Sequence, residues 1–349
     1  NPDIWKPLKG TRLVFKAAAQ VTAQVHEGIR RALTTRPEPA VLISPGTNFG
    51  ARLARETEGL PLVTVHLQPI SMLSAHDWPI LHLRLAWTKR LPLWLRKRLL
   101  TMPSPIDWMM RRAVGPLCAK HSVALPKSLV REWWHSPDAN LVLFPSSFAA
   151  PQPDWPTNTL QAGFPLEDLA TEQHVLPTEM ETFLNTGSPP LLFTAGTGNR
   201  HARAFFATAM DACHALGRRA IFATRHLPDL PDAMTADFLG VEYVPFSLVL
   251  PRCAMLAHHG GIGTLSQAIA AGIPQLIMPL AHDQPDNALR VKALGLGDYL
   301  PTSKWRPLDL CAALDELLTN DERRQRCTEA AGHIQRMDQD AVVQWLSSV

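Results

Sequence analysis

Short apolar runs alternate with amphipathic stretches along most of this chain, and that alternation restricts the fold more than any other feature. Ala40–Ile43, Leu62–Val65, Leu141–Phe144, Leu191–Thr194, Ala220–Ala223, Val241–Val244, Cys253–His258 and Gln275–Pro279 read as buried strands. Continuously apolar strands belong to sheets covered on both faces. Between them lie helical periods. Segment 11–34 repeats Leu13, Val14, Ala17, Val21, Val25 and Ile29 at helical spacing, and similar stretches occupy about 49–58, 202–216, 264–271, 286–294, 308–318, 321–334 and 341–346. Strand, helix and strand in turn dictate parallel sheets with right-handed crossovers, so the expected class is α/β.

The 349 residues suffice for two domains of roughly 150 residues each. Pro165, Pro177, Pro189 and Pro190 punctuate a polar stretch. We therefore expect a first domain over 1–165, a linker over 166–188 and a second domain over 189–335. A C-terminal helix within 336–349 is expected to pack back on the first domain.

Composition narrows the function. With 46% hydrophobic and 19% charged residues the chain is globular, and a net charge of +3 is too balanced for a dedicated nucleic-acid binder. Cys118, Cys213, Cys253, Cys311 and Cys327 are odd in number and never form a CxxC pair. That argues against a disulfide scaffold or zinc ribbon and fits a reducing, cytoplasmic setting. No apolar run reaches the roughly 18 residues of a membrane span. The chain opens Asn1-Pro2-Asp3 with neither an initiator Met nor a signal-peptide pattern and reads as the middle of a longer protein.

One stretch breaks the balance. Arg84 to Arg112 carries eight basic residues against one acid, Asp107, interleaved with Trp87, Trp94, Trp108 and several Leu and Met. Two readings stand: amphipathic helices whose apolar stripes face a core, or a surface touching anionic lipid at the inner membrane face.

Ala257-His258-His259-Gly260-Gly261-Ile262-Gly263-Thr264 follows an apolar strand and opens a helix. Glycines let an anion approach the backbone, and the first helical turn offers unpaired N–H groups and the positive dipole end. His259 and Thr264 add side-chain donors. Neither the Lys of a P-loop nor complete GxGxxG spacing is present, and a turn that binds nothing is the competing reading. Downstream, Asp283 and Gln284 follow the strand Gln275–Pro279, beyond whose carboxyl end a ligand would sit in an open α/β sheet. A carboxylate and an amide suit sugar hydroxyls; the rival reading is a cap cluster in which Asp286 starts the next helix. His258, on the opposite strand face from His259, reads as structural. Asp338-Gln339-Asp340 imitates a metal-binding DxD but lies between helices and reads as surface.

The run His258 to Asn287 resembles the donor-binding signature of the family 1 glycosyltransferases, which have the GT-B fold of two Rossmann-like domains facing a cleft. Trp134-His135-Ser136-Pro137, Pro151-Gln152-Pro153-Asp154-Trp155-Pro156 and Gly163-Phe164-Pro165 are most similar to the rhamnosyltransferases of rhamnolipid synthesis. The resemblance implies that His259 and the backbone of Gly261, Gly263 and Thr264 hold the donor diphosphate. Asp283 and Gln284 would bind the sugar, with Asn287 nearby. Tyr243 would stack on the base and Val244 contact it through its backbone, with strand packing the alternative for Tyr243. Gly196 and Thr197 would meet the β-phosphate.

Two departures stand out. The family's first β–α units, on the order of 60 residues, are expected upstream of Asn1 together with the general base, so no catalytic residue is named. Ser44 stands where many relatives carry the Asp that orients that base. The implied reaction is inverting transfer of rhamnose or another hexose from a dTDP- or UDP-sugar, without metal or other cofactor, to a lipid-like or small apolar hydroxyl acceptor. A nucleotide-sugar epimerase of the same fold and an inactive nucleotide-sugar-binding protein are the alternatives.

Overall fold

The computed structural model describes residues 2–35, 38–167, 175–196, 202–231 and 234–349. The chain divides into two compact units, Asn1–Phe164 with Gln335–Val349, and Pro165–Ile334.

The first unit holds a four-stranded parallel sheet in the order β1 (Leu42–Pro45), β2 (Leu62–His66), β3 (Ala139–Val142), β4 (Thr159–Gln161). Its helices are α1 (Pro7–Thr35), α2 (Phe49–Glu58), α3 (Leu93–Thr101), α4 (Pro105–Lys120) and α5 (Leu129–Glu132). Asn48 starts α2 by accepting from the Ala51 N–H, and Gly59 ends it in the left-handed conformation. Phe15 of α1, Phe49 and Leu53 of α2, and Met110 and Val114 of α4 share one core. Arg55 of α2 clasps Asp138 at 2.6 and 2.7 Å, and Asp138 also accepts from the Leu62 N–H at 3.0 Å. That carboxylate ties α2 to the start of β2.

The second unit holds a six-stranded, all-parallel sheet in the order β10-β9-β8-β5-β6-β7. Its strands are β5 (Leu191–Thr194), β6 (Ala220–Ala223), β7 (Phe238–Val241), β8 (Met255–His258), β9 (Gln275–Ile277) and β10 (Gly297–Tyr299). The helices are α6 (Thr178–Asn185), α7 (Arg203–Ala215), α8 (Phe246–Val249), α9 (Ile262–Ala271), α10 (Gln284–Ala293), α11 (Pro307–Thr319) and α12 (Asp321–Gly332). Strand alternation sorts the core into two layers. Phe193, Phe222, Ala257 and Leu276 face the side of α7 and α11, and Leu192, Ile221, Leu239 and Leu256 face the side of α6, α8 and α9. Trp305 stacks on Phe205 at 4.8 Å and donates its Nε1–H to the Phe205 carbonyl. A last helix, α13 (Gln339–Leu346), returns to the first unit, where Val342 joins Val63, Ala139 and Leu141.

Several element bounds differ from expectation. β3 begins two residues early because Asn140 is buried in it, its amide bonded to the Ser136 carbonyl and the Asn158 side chain. A rule that seeks apolar runs passes over such a residue. β7 ends at Val241 where 241–244 was expected; Phe238 and Leu239 carry its core contacts. β4 and β10 have three residues each, mostly polar, and gave no signal. The stretch read as linker contains α6, whose Met180 and Phe183 are buried in the second unit.

Candidate functional site

The six-stranded sheet has its switch point between β5 and β8. The chain leaves β5 toward β6 and β7, then returns to lay β8 on the other side of β5. Loops leaving two such strands diverge, and the crevice at their carboxyl ends is where open α/β sheets take ligands. Thr194 and His258 lie in register as the last residues of these strands, so 195–196 and 259–261 flank that crevice.

The β8 turn is built around two histidines with different tasks. His258 is fully buried, shares a 3.0 Å hydrogen bond with Gln275 Oε1, and accepts from the Gly260 N–H at 3.1 Å. Burial, then the neighbouring His259, pushes its pKa down to about 3. It is therefore a neutral ring that shapes the turn from below, as its strand face predicted. His259 lies above. Its Nδ1 is buried without a hydrogen-bond partner among the described residues, and burial lowers its pKa to about 4. At neutral pH it offers a neutral donor and no positive charge of its own.

Glycine makes this possible at two points. Gly196 has φ +82°, and a Cβ there would sit 2.5 Å from His259 Cε1. Gly260 has φ +95°, and a Cβ there would meet Ile277 at 2.8 Å. A side chain at Gly196 would fill the space the His259 ring occupies, and one at Gly260 would press on Ile277; either would break the turn. Gly261 is the N-cap of α9 and supplies no side-chain cap. The first-turn N–H groups, those of Gly263 and Thr264 among them, therefore have no intrahelical partner. Thr197 lies outside the described residues.

The loop after β9 closes on this turn. His282 adopts φ +61°, uncommon for a residue with a side chain. Burial raises the Asp283 pKa to about 6, and the carboxylate accepts from Asn287 Nδ2 at 2.8 Å. The same Asn287 amide donates to the Gly260 carbonyl at 2.9 Å, while its Oδ1 is buried without a partner among the described residues. Asn287 thus clamps the β8 turn to the β9 loop. Its spacing of four from Asp283 on a helix was the available signal. Gln284 turns its Oε1 inward onto the Leu280 and Ala281 N–H groups, so only its Nε2 could serve a ligand. Asp286 does not cap α10; it is wholly buried and pairs with Arg290 at 2.7 Å.

Tyr243 lies past the end of β7 and is 44% exposed, which excludes the strand-packing role, whereas Val244 is buried in the core. In the first unit, Ser44 is buried at the end of β1 with its Oγ unpartnered among the described residues. Asp338 caps α13 through the Ala341 N–H, which accounts for the DxD look-alike.

The Erythromycin biosynthesis protein CIII-like C-terminal domain family matches residues 209–343. The vancomycin aglycone glucosyltransferase of Amycolatopsis orientalis is 38% identical over 177 residues, 49% of this chain and 41% of that protein. An uncharacterized glycosyltransferase of Mycobacterium tuberculosis is 26% identical over 332 residues, 91% of this chain and 75% of its own. Over its C-terminal half the chain is thus similar to glycosyltransferases of family 1. Among solved structures, the calicheamicin glycosyltransferase superposes with a TM-score of 0.69 at 19% identity, covering 97% of this chain and 83% of that one. Spinosyn rhamnosyltransferase gives 0.68 at 18% identity, covering 100% and 84%. These likenesses establish the shared fold. The chain spans about two fifths of the length of the first curated relatives it matches. Among the described residues no helix is long and apolar enough to cross a membrane.

Proposed function

We propose that the chain transfers a hexose from a nucleoside-diphosphate sugar, with a dTDP or UDP base and rhamnose a favoured sugar, to a hydroxyl of a lipid-like or small apolar acceptor. The observation that carries this reading is the buried His259 Nδ1, without a partner among the described residues, beside the uncapped start of α9 at the sheet's switch point. A buried donor without a partner costs free energy that a diphosphate oxygen would recover. Asp283 and Gln284 Nε2 would take the sugar, Asn287 would hold the two loops in register, and Tyr243 would stack on the base. Thr197 would meet the β-phosphate, as the family resemblance implies.

The reaction in this reading is a single inverting displacement. The acceptor oxygen attacks the anomeric carbon as the bond to the diphosphate breaks, and a general base takes the acceptor proton. His259 and the α9 N–H groups stabilise the charge that develops on the leaving diphosphate, in place of a metal ion. The protein would work in the cytoplasm, with Arg84–Arg112 giving peripheral contact to an anionic membrane. Calorimetry with UDP and dTDP, followed by turnover assays over a panel of their sugars, tests the reading. Saturable binding of one nucleotide supports it; failure of both to bind overturns it.

A further inference from the structure

Gln275 is a polar residue within an apolar sheet, and it is wholly buried. It opens β9 opposite Leu256 of β8, with Ile277 opposite His258. Successive side chains of a strand face opposite sides. Ala257 and Leu276 face α7 and α11, so Gln275 and His258 both face the side of α9. His258 is then the diagonal neighbour of Gln275 on that face, and Nε2 meets Oε1 at 3.0 Å. Gln275 Nε2 has no partner among the described residues. A buried amide with an unmatched donor carries a cost, so what this position uses is the oxygen.

The hydrogen bonds fix which nitrogen of His258 carries the proton. The Gly260 N–H can only donate, so Nδ1, 3.1 Å away, is the acceptor. The neutral ring then carries its proton on Nε2, and an oxygen must face it. Gln275 Oε1 is that oxygen. The opposite tautomer would aim Nδ1–H at the Gly260 N–H and set two acceptors, Nε2 and Oε1, against each other. A carboxylate at 275 would also accept from Nε2–H, but it would favour the imidazolium, whose Nδ1–H again opposes Gly260. A neutral amide selects the tautomer without drawing a second proton to the ring.

Gly260 is thereby held from both sides. His258 fixes the peptide that joins His259 to Gly260, and Asn287 fixes the next one through the Gly260 carbonyl. The first of these peptides carries the Cα of His259, so its tilt sets where that ring lies against Gly196.

We propose that Gln275 and His258 are positioning residues: the amide oxygen selects the Nε2–H tautomer of His258, and that tautomer, through the Gly260 N–H, keeps His259 in place for the donor diphosphate. The tautomer lock is read from the hydrogen bonds alone; its use in donor binding rests on the proposed transferase reading.

Ring 15N resonances and nucleotide affinity test it together, on the 349-residue chain labelled with 15N-histidine. The His258 signals are those absent from His258→Asn. At pH 7 the parent should show Nε2 protonated and Nδ1 unprotonated. Gln275→Met keeps the volume and removes the oxygen. It should lose the single tautomer and weaken UDP or dTDP binding by on the order of tenfold, the scale of one hydrogen bond. His258→Asn places an oxygen near the position of Nδ1 and should bind within about threefold of the parent. His258→Gln places its amide near Nε2 and should lose on the order of tenfold. Packing alone would favour the longer Gln, so the contrast separates positioning from a merely structural role. Nδ1 protonated in the parent, Gln275→Met with the parent's tautomer and affinity, or His258→Gln binding as well as His258→Asn each overturns the proposal. Should Gln275→Met not fold, Gln275→Glu is expected to show a doubly protonated ring and weaker binding, and a neutral ring with parent affinity overturns the proposal. A parent that binds neither UDP nor dTDP overturns the donor reading and the positioning role with it, while the ring nitrogens still decide the lock. Parent binding with variants that bind equally well overturns the positioning role alone.

Discussion

His259 reaches its position because the residues around it have given up their side chains. Gly196 leaves room for the ring, and Asn287 fixes the height of the turn through the Gly260 carbonyl. A neutral imidazole hydrogen-bonding a charged oxygen contributes about 1.5–3 kcal/mol. His259→Ala should therefore weaken nucleoside-diphosphate binding by about that amount, and unchanged calorimetric affinity would remove His259 from the cradle. Asp283 makes a different prediction. Burial holds its carboxyl near a pKa of about 6, and only the ionised form accepts from two sugar hydroxyls. The ionised fraction grows as pH rises through that value. The advantage of the nucleotide-sugar over the bare nucleotide should thus increase from about pH 5 to pH 7, and Asp283→Asn should flatten the dependence. A parent protein whose preference is constant over that range contradicts the assignment. Of this site, the glycine-rich turn and the acidic loop were legible in sequence because their chemistry is local. The inward turn of Gln284 and the clamp of Asn287 were not, because each depends on where a second loop comes to rest.

At the scale of elements, the strands were readable wherever both faces are covered, since burial on both sides forces an unbroken apolar run. β3 defeated that rule through Asn140, and β4 and β10 through shortness. The basic stretch was ambiguous for a physical reason: a period of apolar residues does not say what covers them. In the structure, neither the 3-10 helix Leu83–Arg90 nor α3 has a buried residue. Trp87, Trp94 and Trp108 are 59%, 67% and 67% exposed, so these indoles are not core. Exposed Trp beside Lys97 and Arg98 suits the interface of an anionic bilayer, where each cation contributes about 1 kcal/mol and salt screens it. Arg96 is set apart, since its guanidinium reaches the His76 carbonyl. Lys97→Glu with Arg98→Glu should accordingly release the protein from phosphatidylglycerol vesicles, as raised salt should, while leaving nucleotide affinity unchanged. If the parent does not sediment with such vesicles at low salt, the membrane contact is wrong.

Across the whole molecule, buried neutral histidines make stability a function of pH in both units. His66 and His135 share a 3.0 Å hydrogen bond in the first unit, and His258 lies at the heart of the second. Burial lowers His66 to about 3, with His135 adding to it, lowers His135 to about 4 and lowers His258 to about 3. The sign follows from linkage. An unfolded chain takes up these protons near pH 6.5 while the folded one does not, so falling pH favours unfolding and the loss continues down to the folded values. By about pH 5 each ring should cost on the order of 2 kcal/mol, and three together roughly 6, which is comparable with the 5–15 kcal/mol that holds a typical domain. Because the rings are divided between two units, neither should survive acid as a stable remnant, and unfolding need not be a single two-state event. Thermal melts should move to markedly lower temperature between pH 7 and pH 5. His66→Gln, which removes one titrating ring, should reduce the pH slope of the first unit's transition even if it lowers the melting temperature at pH 7. A melting temperature that holds steady across this interval would mean that the folded rings take up protons as readily as the unfolded ones, and that their burial is not what the structure describes.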